Sequence, residues 1–578
     1  MRLTRTPNMT DLSSSRLALS SLSTSTAPPT SRQRESGSGT GRLAASHTLP
    51  AVVETEGQLR RRLLGEPPGQ RLFGWLGPLI AAAIGGVLRF WQLGDPHQLV
   101  FDETYYVKQG WSMILFGVEM RNDPTLNEAK QIDQNFTAGN VLQVYDPTTG
   151  DLVVHPPVGK WLIGWGEQLF GITNSFGWRF AVCVMGVLSI LMIGRAARRL
   201  FGSSLLGTVA ALILAFEGHH FVHSRTALLD LMLMFWAFAA FCLLLIDRDQ
   251  SRKVLARKVT GLNRAGLAAL GPWGPSLGWR PWRLAAGVCL GLACGTKWSG
   301  AYFLVAFGLM TVLWDMGARR AVGITRWKTA WLVKDTPLAA LWMVGSTVVV
   351  YCLSWWGWFA TDIGYNRHWA DIHPAEPGWG WVPDPVRSWW NYHAQILEFH
   401  THLVSDHPYK TNPWSWLIEG RPTSFFYEGP KQGEQGCLVE SCSKAISSIG
   451  TPSIWWGATL AVSVLLFMWA LRRDWRAGAI LAGFMGGYAP WFLLGDRTIY
   501  SFYAVAFVPY VVLACVYLLG LFIGGPHASP LHRRIGLGVT GAFLVLEIVL
   551  FAFFWPIYTA QVVPYSFWSA HMWFPSWI

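Results

Sequence analysis

Long apolar segments alternate with polar connections over most of the chain. Because a helix needs about 20 apolar residues to cross a bilayer, the longer segments are candidate membrane spans. The pattern predicts about eleven of them, near residues 73–93, 178–194, 203–219, 226–246, 283–298, 299–316, 338–360, 453–471, 476–494, 500–523 and 536–556. The chain is therefore predicted to be an all-α polytopic membrane protein.

Lysine and arginine are concentrated in alternate connections, for example Arg198 and Arg199 after the second predicted span. Cytoplasmic loops carry such an excess of basic residues. If the chain has eleven spans, all the basic connections fall on one side. This predicts a cytoplasmic N-terminus, an extracytoplasmic C-terminus and two large extracytoplasmic loops, at 94–177 and 361–452.

Three regions follow from this pattern. Residues 1–70 are rich in Ser, Thr, Arg, Pro and Gly, so they are predicted to be a disordered cytoplasmic segment. Residues 71–556 contain all the spans and are predicted to form a transmembrane domain, whose predicted catalytic role depends on the motifs described below. Residues 557–578 are predicted to be an extracytoplasmic C-terminal tail.

Composition supports a membrane protein, since 51% of the residues are hydrophobic, 14% are charged and 34 are tryptophan. Soluble domains carry about 25% charged residues. A net charge of +12 could indicate nucleic-acid binding. The basic residues, however, lie in short runs between apolar segments, so no nucleic-acid partner is predicted.

Six of the eight cysteines fall in or beside apolar segments, where they are expected to pack as small hydrophobic residues. Cys437 and Cys442 instead flank a polar loop, and a disulfide between them is predicted if that loop faces an oxidising compartment. No cluster of His and Cys indicates a metal site, so neither a metal nor another cofactor is predicted.

Candidate chemistry begins at Asp102 and Glu103, in the sequence FDETYY soon after the first span. A single acid there could be an ordinary solvated loop charge. These two acids are flanked by Phe101, Tyr105 and Tyr106, and apolar surroundings raise the pKa of a carboxylate towards values that suit proton transfer. One of the acids could therefore act as a base towards an alcohol.

Three cations interrupt apolar sequence near the same predicted membrane surface: Arg89, Arg225 and Lys297. Each could simply extend to the headgroups. Together they instead indicate a site for a lipid-linked phosphate, with Asp230 orienting Arg225 or pairing with it. A carboxylate base and a bound lipid phosphate describe inverting glycosyl transfer from a polyprenyl phosphate sugar.

Several motifs in order resemble the protein O-mannosyltransferase family of GT-C glycosyltransferases: FDETYYVKQG, VHPPVGKWLIGWGEQLFG, HSRTALLD, GLACGTKWSGAYFL and HPYKTNPWSWL. The resemblance extends over about residues 73–556. It implies a GT-C fold and transfer of mannose from polyprenyl phosphate mannose to Ser or Thr hydroxyls of exported proteins. The implied partners are this donor, the protein acceptors, membrane lipid and the Sec translocon.

The resemblance also implies roles for individual residues. Asp102 matches the base, and Glu103 matches an acid that shapes the acceptor site. Arg89 and Arg225 match functionally important arginines, and Lys297 matches a lysine near the lipid phosphate. The remaining matches support the first large loop or the acceptor, and they are His155, Pro156, Asp230, His407, Tyr409 and Trp414.

The chain departs from the eukaryotic members of that family at the loop 361–452, which is too short to contain their β-trefoil MIR domain. It resembles the bacterial form, and the departure leaves acceptor selection and dimer formation open. The loop that contains Cys437 and Cys442 is expected to occupy part of the vacated space.

Three alternatives remain open at this point. A GT-C enzyme using another lipid-linked sugar, such as an arabinosyl donor, would need a similar base and similar cations. A transporter or flippase would also have many spans with charges in the membrane, but its functional residues should lie in broken helices. A structural scaffold would need neither the acids nor the cations.

Overall fold

The computed structural model describes residues 54–65, 69–126, 128–525 and 527–578. Within these ranges, eight helices are long and apolar enough to cross a membrane, and two shorter apolar helices lie at Ser204–Ala215 and Pro281–Cys294. The chain is therefore a multi-pass membrane protein, as predicted. The count of eleven spans stays a prediction.

The first part of the chain contains a short helix, the first span, and then a two-stranded sheet with three helices before the second span. Its elements are α1 (Glu56–Leu64), α2 (Phe73–Phe90), α3 (Glu103–Phe116), β1 (Met120–Asn122), α4 (Ala129–Thr137), β2 (Tyr145–Gly150) and α5 (Val158–Phe170). Strands β1 and β2 are antiparallel. Helices α3 and α5 pack closely because Gly110 and Gly164, which have no side chains, bring the two backbones together.

The middle of the chain is a bundle of apolar helices. It contains α6 (Ser175–Phe201), α7 (Ser204–Ala215), α8 (Gly218–His223), α9 (Leu229–Val259), α10 (Arg264–Ala269), α11 (Pro281–Cys294), α12 (Gly300–Ala321), α13 (Trp327–Ala330), α14 (Thr336–Ala339), α15 (Ser346–Ser354) and α16 (Trp356–Ala360). Helices α13 to α15 join through two π-helical stretches into one span, Trp327–Ser354. Helix α9 is largely buried, so it lies at the centre of the bundle.

The last part adds a small sheet and four apolar helices. It contains α17 (Asp384–His402), β3 (Thr423–Glu428), β4 (Cys442–Ser448), α18 (Pro452–Arg472), α19 (Trp475–Tyr488), α20 (Val508–Ile523), α21 (Pro530–Tyr558), β5 (Val562–Pro564) and α22 (Tyr565–Ala570). Short 3-10 turns lie at Val141–Gln143, Trp369–Asp371, Pro413–Ile418, Ala489–Leu493, Ser501–Phe507 and Pro575–Trp577. The strands are antiparallel in the order β3-β4-β5.

Long connections pack together at one end of the bundle, which we call the loop face. It comprises residues 91–174, 216–228, 361–451, 489–500 and 559–578. Tyr392 of α17 hydrogen-bonds the backbone of Val153, and the backbone N–H of Gly218 donates to Thr451. The two large loops predicted from the sequence therefore form one assembly with the turn at α8.

Both chain ends contain ordered elements where the structure describes them, in regions predicted to be a disordered segment and a tail. Thr55 caps α1, and Leu59 and Leu63 of that helix are buried against Leu255 and Ala256 of α9. The polar average of residues 1–70 concealed this short amphipathic helix. Residues 1–53 lie outside the described residues.

The C-terminal segment 557–578 is likewise part of the fold rather than a tail, because β5 pairs with residues Cys442–Lys444 of β4.

Candidate active site

A cavity of about 170 Å³ lies among α9, α12, α17 and α19, at the loop face. Its wall is both aromatic and charged, and it includes His155, Asp230, Lys297, Trp298, Tyr302, His400, Trp491, Arg497 and Tyr503. Pockets of this kind, with a few convergent polar groups, are typical binding sites.

Asp102 directly precedes the first turn of α3, beside this cavity, and is partly exposed. The hydroxyl of Tyr106 donates a long hydrogen bond of 3.5 Å to its Oδ2, and the Tyr106 ring lies 6.0 Å from the ring of His155. Burial raises the pKa of Asp102 to about 6, although the positive charge of Lys297 opposes the rise. A carboxylate with this pKa is suited to accept a proton near neutral pH.

Phe101, directly before Asp102, has an unusual backbone conformation with φ of 51°. Positive φ is unfavourable for a bulky side chain, so the surroundings must hold it there. The Phe101 ring stacks on Phe425 of β3 at 4.6 Å and meets the edge of Phe502 at 5.2 Å. These aromatic contacts fix the turn that presents Asp102.

Lys297 forms an ion pair with Asp230, with 2.8 Å between Nζ and Oδ2. Both side chains line the cavity, and Nζ of Lys297 also lies 5.4 Å from the centre of the Tyr503 ring. Asp230 thus pairs with Lys297, whereas the sequence had placed it with Arg225. The pair fixes one positive point charge on the wall.

His155, His400 and Arg497 form a second polar group on the wall. His400 Nε2 lies 2.9 Å from the carbonyl oxygen of Val154, so this nitrogen must donate, and Nδ1 must accept from Arg497 at 3.2 Å. Arg497 pairs with no carboxylate among the described residues, and its buried Nε has no hydrogen-bond partner there. Burial and the charges of Lys297 and Arg497 lower the pKa of His155 well below its usual value, so this imidazole is neutral.

Glu103 lies away from the cavity and is fully buried. Its carboxylate accepts two hydrogen bonds of 2.8 Å from Arg179 of α6 and one each from the backbone N–H groups of Val100 and Ala227. All of its bonding capacity is used inside the protein. The structure therefore does not place Glu103 at an acceptor site; it holds the FDE turn against α6 and the start of α9.

Arg89 and Arg225 do not reach the cavity either. The guanidinium of Arg89 is fully buried and donates to Ser224 and to the carbonyls of Gly85, Leu214 and Ala215. That of Arg225 donates to the carbonyls of Leu88, Arg89, Trp91 and Gln92. Both cations satisfy the carbonyls at helix ends, which differs from the phosphate contacts predicted from the sequence.

Comparison with known proteins decides the family. Residues 79–269 match the family described as dolichyl-phosphate-mannose-protein mannosyltransferase, and residues 385–577 match the C-terminal four TMM region of protein-O-mannosyltransferase. A polyprenol-phosphate-mannose–protein mannosyltransferase of Mycolicibacterium smegmatis (strain MKD8) is 37% identical over 517 residues, covering 88% of this chain and 94% of that protein. The chain belongs to the protein O-mannosyltransferase family.

Other relatives agree with this assignment. A polyprenol-phosphate-mannose–protein mannosyltransferase of Mycobacterium tuberculosis (strain H37Rv) is 36% identical over 523 residues. The match covers 88% of this chain and 93% of that protein. The Saccharomyces cerevisiae Pmt1-Pmt2 complex bound to the sugar donor superposes with a TM-score of 0.63 at 14% identity, covering 91% and 95% of the two chains. The predicted GT-C fold is thereby confirmed, and the transporter and scaffold alternatives are rejected.

Of the three predicted acceptor residues in the second large loop, His407 and Tyr409 lie together, whereas Trp414 lies apart from them. His407 packs edge-on against Tyr500 at 5.2 Å, and burial together with the charge of Asp102 raises the pKa of Tyr500. Tyr409 lies 6.0 Å from His407. Trp414 is 75% exposed and packs on Phe492, so it points away from this group.

His155 and Pro156 lie in the first large loop, directly before α5. Pro156 is buried, and the carbonyl of His155 accepts a 2.7 Å hydrogen bond from Lys160, which also pairs with Glu119. This anchoring holds the His155 imidazole in the cavity wall.

Sequence reasoning missed two arginines that the structure brings forward. Arg179 is a charge inside a predicted span, which is the signal that drew attention to Arg89. Arg497 follows the end of a predicted span and looked like an ordinary loop charge. Its position on the cavity wall depends on the packing of α17 and α19, which the sequence does not show.

Proposed function

We propose that Asp102 is the general base in mannose transfer from polyprenyl phosphate mannose to a Ser or Thr hydroxyl. As the hydroxyl oxygen forms a bond to the anomeric carbon, Asp102 accepts its proton. The bond from that carbon to the phosphate oxygen breaks, and polyprenyl phosphate leaves with the electron pair. A direct displacement with one carboxylate base inverts the anomeric centre.

One observation carries this proposal. A partly exposed carboxylate with a raised pKa lies beside a cavity that contains an arginine without a carboxylate partner among the described residues. A buried or half-buried cation of this kind is stabilised when an anion binds. The donor phosphate supplies that anion.

Lys297 and Arg497 are the two cations on the cavity wall that suit the donor phosphate. Lys297 supplies a point charge, and the free edge of the Arg497 guanidinium can donate directly to a phosphate oxygen. His155 is neutral and lines the cavity, so its ring N–H can donate a hydrogen bond to the phosphate or the sugar. These roles replace the ones predicted for Arg89 and Arg225.

Replacing Arg497 by alanine should lower kcat/KM for the donor by roughly 10- to 100-fold, because a charge-assisted hydrogen bond contributes about 1.5–3 kcal/mol. The measurement is a titration of polyprenyl phosphate mannose at a saturating acceptor peptide. Arg121→Ala is the matched control, since Arg121 is an exposed arginine on the loop face. Unchanged donor kinetics in Arg497→Ala would remove this residue from the phosphate site.

The kcat/KM for mannose transfer should fall as the pH is lowered. Asp102 must be ionised to accept a proton, and its pKa is about 6, so log kcat/KM should decline with a slope near one as the pH falls below about 6. The His155 imidazole has a pKa well below its usual value, so it should not contribute to this limb. A rate that stays level from pH 7 down to pH 5 would contradict the assignment.

We further propose that the loop face is extracytoplasmic and that the acceptors are exported proteins. The alternating basic connections support this orientation. So does the disulfide that joins Cys437 to Cys442 and closes the hairpin between β3 and β4, because disulfides persist in oxidising compartments. Contact with the Sec translocon and a catalytic domain of residues 71–556 stay predictions.

In isolated membranes, both hairpin thiols should resist alkylation until a reductant is added. Peptide mass analysis would report the modification, and Cys437→Ser should make Cys442 reactive without reductant. Alkylation of both thiols in the untreated native protein would contradict an oxidising location.

Within the described ranges no cluster of three or more His, Cys, Asp or Glu side chains could hold a metal ion, and independence from metal stays a prediction.

A further inference from the structure

Helix α17 leaves an apolar stripe uncovered on the loop face. Val386, Trp390, Ala394 and Leu397 fall within an arc of about 80° on a helix with 3.6 residues per turn. All four are exposed, and Trp390 is 74% exposed. Another face of the helix is buried against the protein through Ser388, Tyr392 and Ile396.

The contacts of α17 join it to the end of a candidate membrane span. The hydroxyl of Tyr351 lies 2.7 Å from Nε2 of His393, and the His393 ring lies 4.8 Å from that of Trp355. Tyr351 belongs to the last turn of the span Trp327–Ser354. Leu353 in the same turn is 66% exposed, as a lipid-facing residue is. The stripe therefore lies close to the end of an apolar span that is long enough to cross the bilayer.

The residues around the stripe suit a membrane surface. Trp356, Trp379 and Trp381 are exposed on neighbouring segments, and tryptophan prefers the headgroup region. The polar flank of α17 carries Asn391 and Glu398. An exposed apolar stripe bordered by polar residues is typical of a helix that lies in the plane of the interface.

The C-terminal end of the stripe is also part of the cavity wall. Leu397, His400 and Thr401 line the cavity together with Tyr302 of α12 and Leu494. Leu397 thus belongs both to the uncovered stripe and to the site that we assign to the donor phosphate. A lipid-linked donor that enters sideways from the bilayer would pass this residue.

We propose that α17 rests in the bilayer surface at the loop face, with its apolar stripe in lipid, and forms one lip of the entrance for the donor. The bilayer contact rests on the geometry of α17 alone. The entrance rests on the proposed function, because it needs a lipid-linked donor in the cavity.

A nitroxide spin label reports whether a labelled residue lies in lipid or in water, and the measurement does not depend on mannose transfer. Ala394→Cys and Glu398→Cys are labelled in the full chain, with the six unpaired cysteines replaced, in vesicles of three parts phosphatidylcholine to one part phosphatidylglycerol. At each position the relaxation of the label by oxygen is divided by its relaxation by a water-soluble nickel chelate. This ratio should be about fivefold or more higher at position 394 than at position 398. Equal access of the nickel chelate to both labels would overturn the proposal.

Other occupants of the stripe give different results in the same experiment. Protection of position 394 only when a Ser/Thr peptide is added would assign the stripe to the acceptor. Protection that disappears when the protein is diluted in lipid would assign it to a second copy. Either result would overturn the bilayer contact.

Enzyme kinetics test the entrance in an otherwise native chain. Trp390→Asp should raise KM about tenfold for a long-chain polyprenyl phosphate mannose, and less than about twofold for a donor with a short, water-soluble chain. Leu438→Asp is the matched control, because Leu438 is 87% exposed on the disulfide hairpin. Equal effects of Trp390→Asp on the two donors would overturn the proposed entrance. The proposal that the enzyme transfers mannose would still stand.

Discussion

Mannosyl transfer by the variant Asp102→Asn should be roughly 10²- to 10⁴-fold slower than transfer by the native enzyme. Asparagine keeps the size of the side chain and its contact with Tyr106, but its amide cannot accept the hydroxyl proton. The KM for the donor should change little, because the proposed phosphate contacts of Lys297 and Arg497 are unaltered. The measurement is the initial rate with purified enzyme, polyprenyl phosphate mannose and a Ser/Thr peptide.

The matched control is Asp123→Asn, which removes a carboxylate in the exposed turn after β1 at the loop face. It should transfer mannose at the native rate. If Asp102→Asn also transferred at the native rate, Asp102 could not be the base, and another proton acceptor on the cavity wall would have to be sought.

Arg179→Met should lower the free energy of unfolding by about 3–5 kcal/mol, which is the cost of leaving a buried carboxylate without its partner. The Arg179 guanidinium binds Glu103 twice and also donates to the carbonyls of Leu93, Pro96 and Gln98. It therefore ties the whole segment before Asp102 to α6. Thermal unfolding in detergent and the yield of folded protein would measure the loss.

Arg387→Ala provides the comparison, since Arg387 pairs with the half-exposed Asp384 and such surface pairs contribute about 0–1 kcal/mol. Arg179→Lys should fall between the two variants, because lysine restores the charge but cannot make the paired contacts. A native unfolding profile for Arg179→Met would show that the Glu103 pair does not support the FDE turn.

The sequence predicted the helical membrane architecture well because apolar length depends on local composition alone. Asp102 could also be found from sequence, since its aromatic neighbours are adjacent in the chain. Helix α1 was missed because nine residues with two buried leucines scarcely change the average of a polar segment. Strand β5 was missed because its partner β4 lies more than a hundred residues earlier.

The cations show where a one-dimensional pattern fails. Arg89, Arg225 and Lys297 look alike in sequence, as single charges in apolar surroundings. Only Lys297 lines the cavity, because the two arginines satisfy helix-end carbonyls. Whether a buried cation stabilises the fold or binds a ligand depends on which hydrogen-bond acceptors the tertiary structure brings to it. The residues adjacent in the sequence do not reveal those acceptors.

The most direct test of a single Asp102 base is the anomeric configuration of the product. Purified enzyme would receive donor of known configuration and a Ser/Thr peptide, and nuclear magnetic resonance would assign the mannose linkage on the hydroxyl. Direct displacement predicts that every transferred mannose has the configuration opposite to that of the donor. Retention would exclude a single displacement from the face opposite the phosphate, and it would contradict the mechanism.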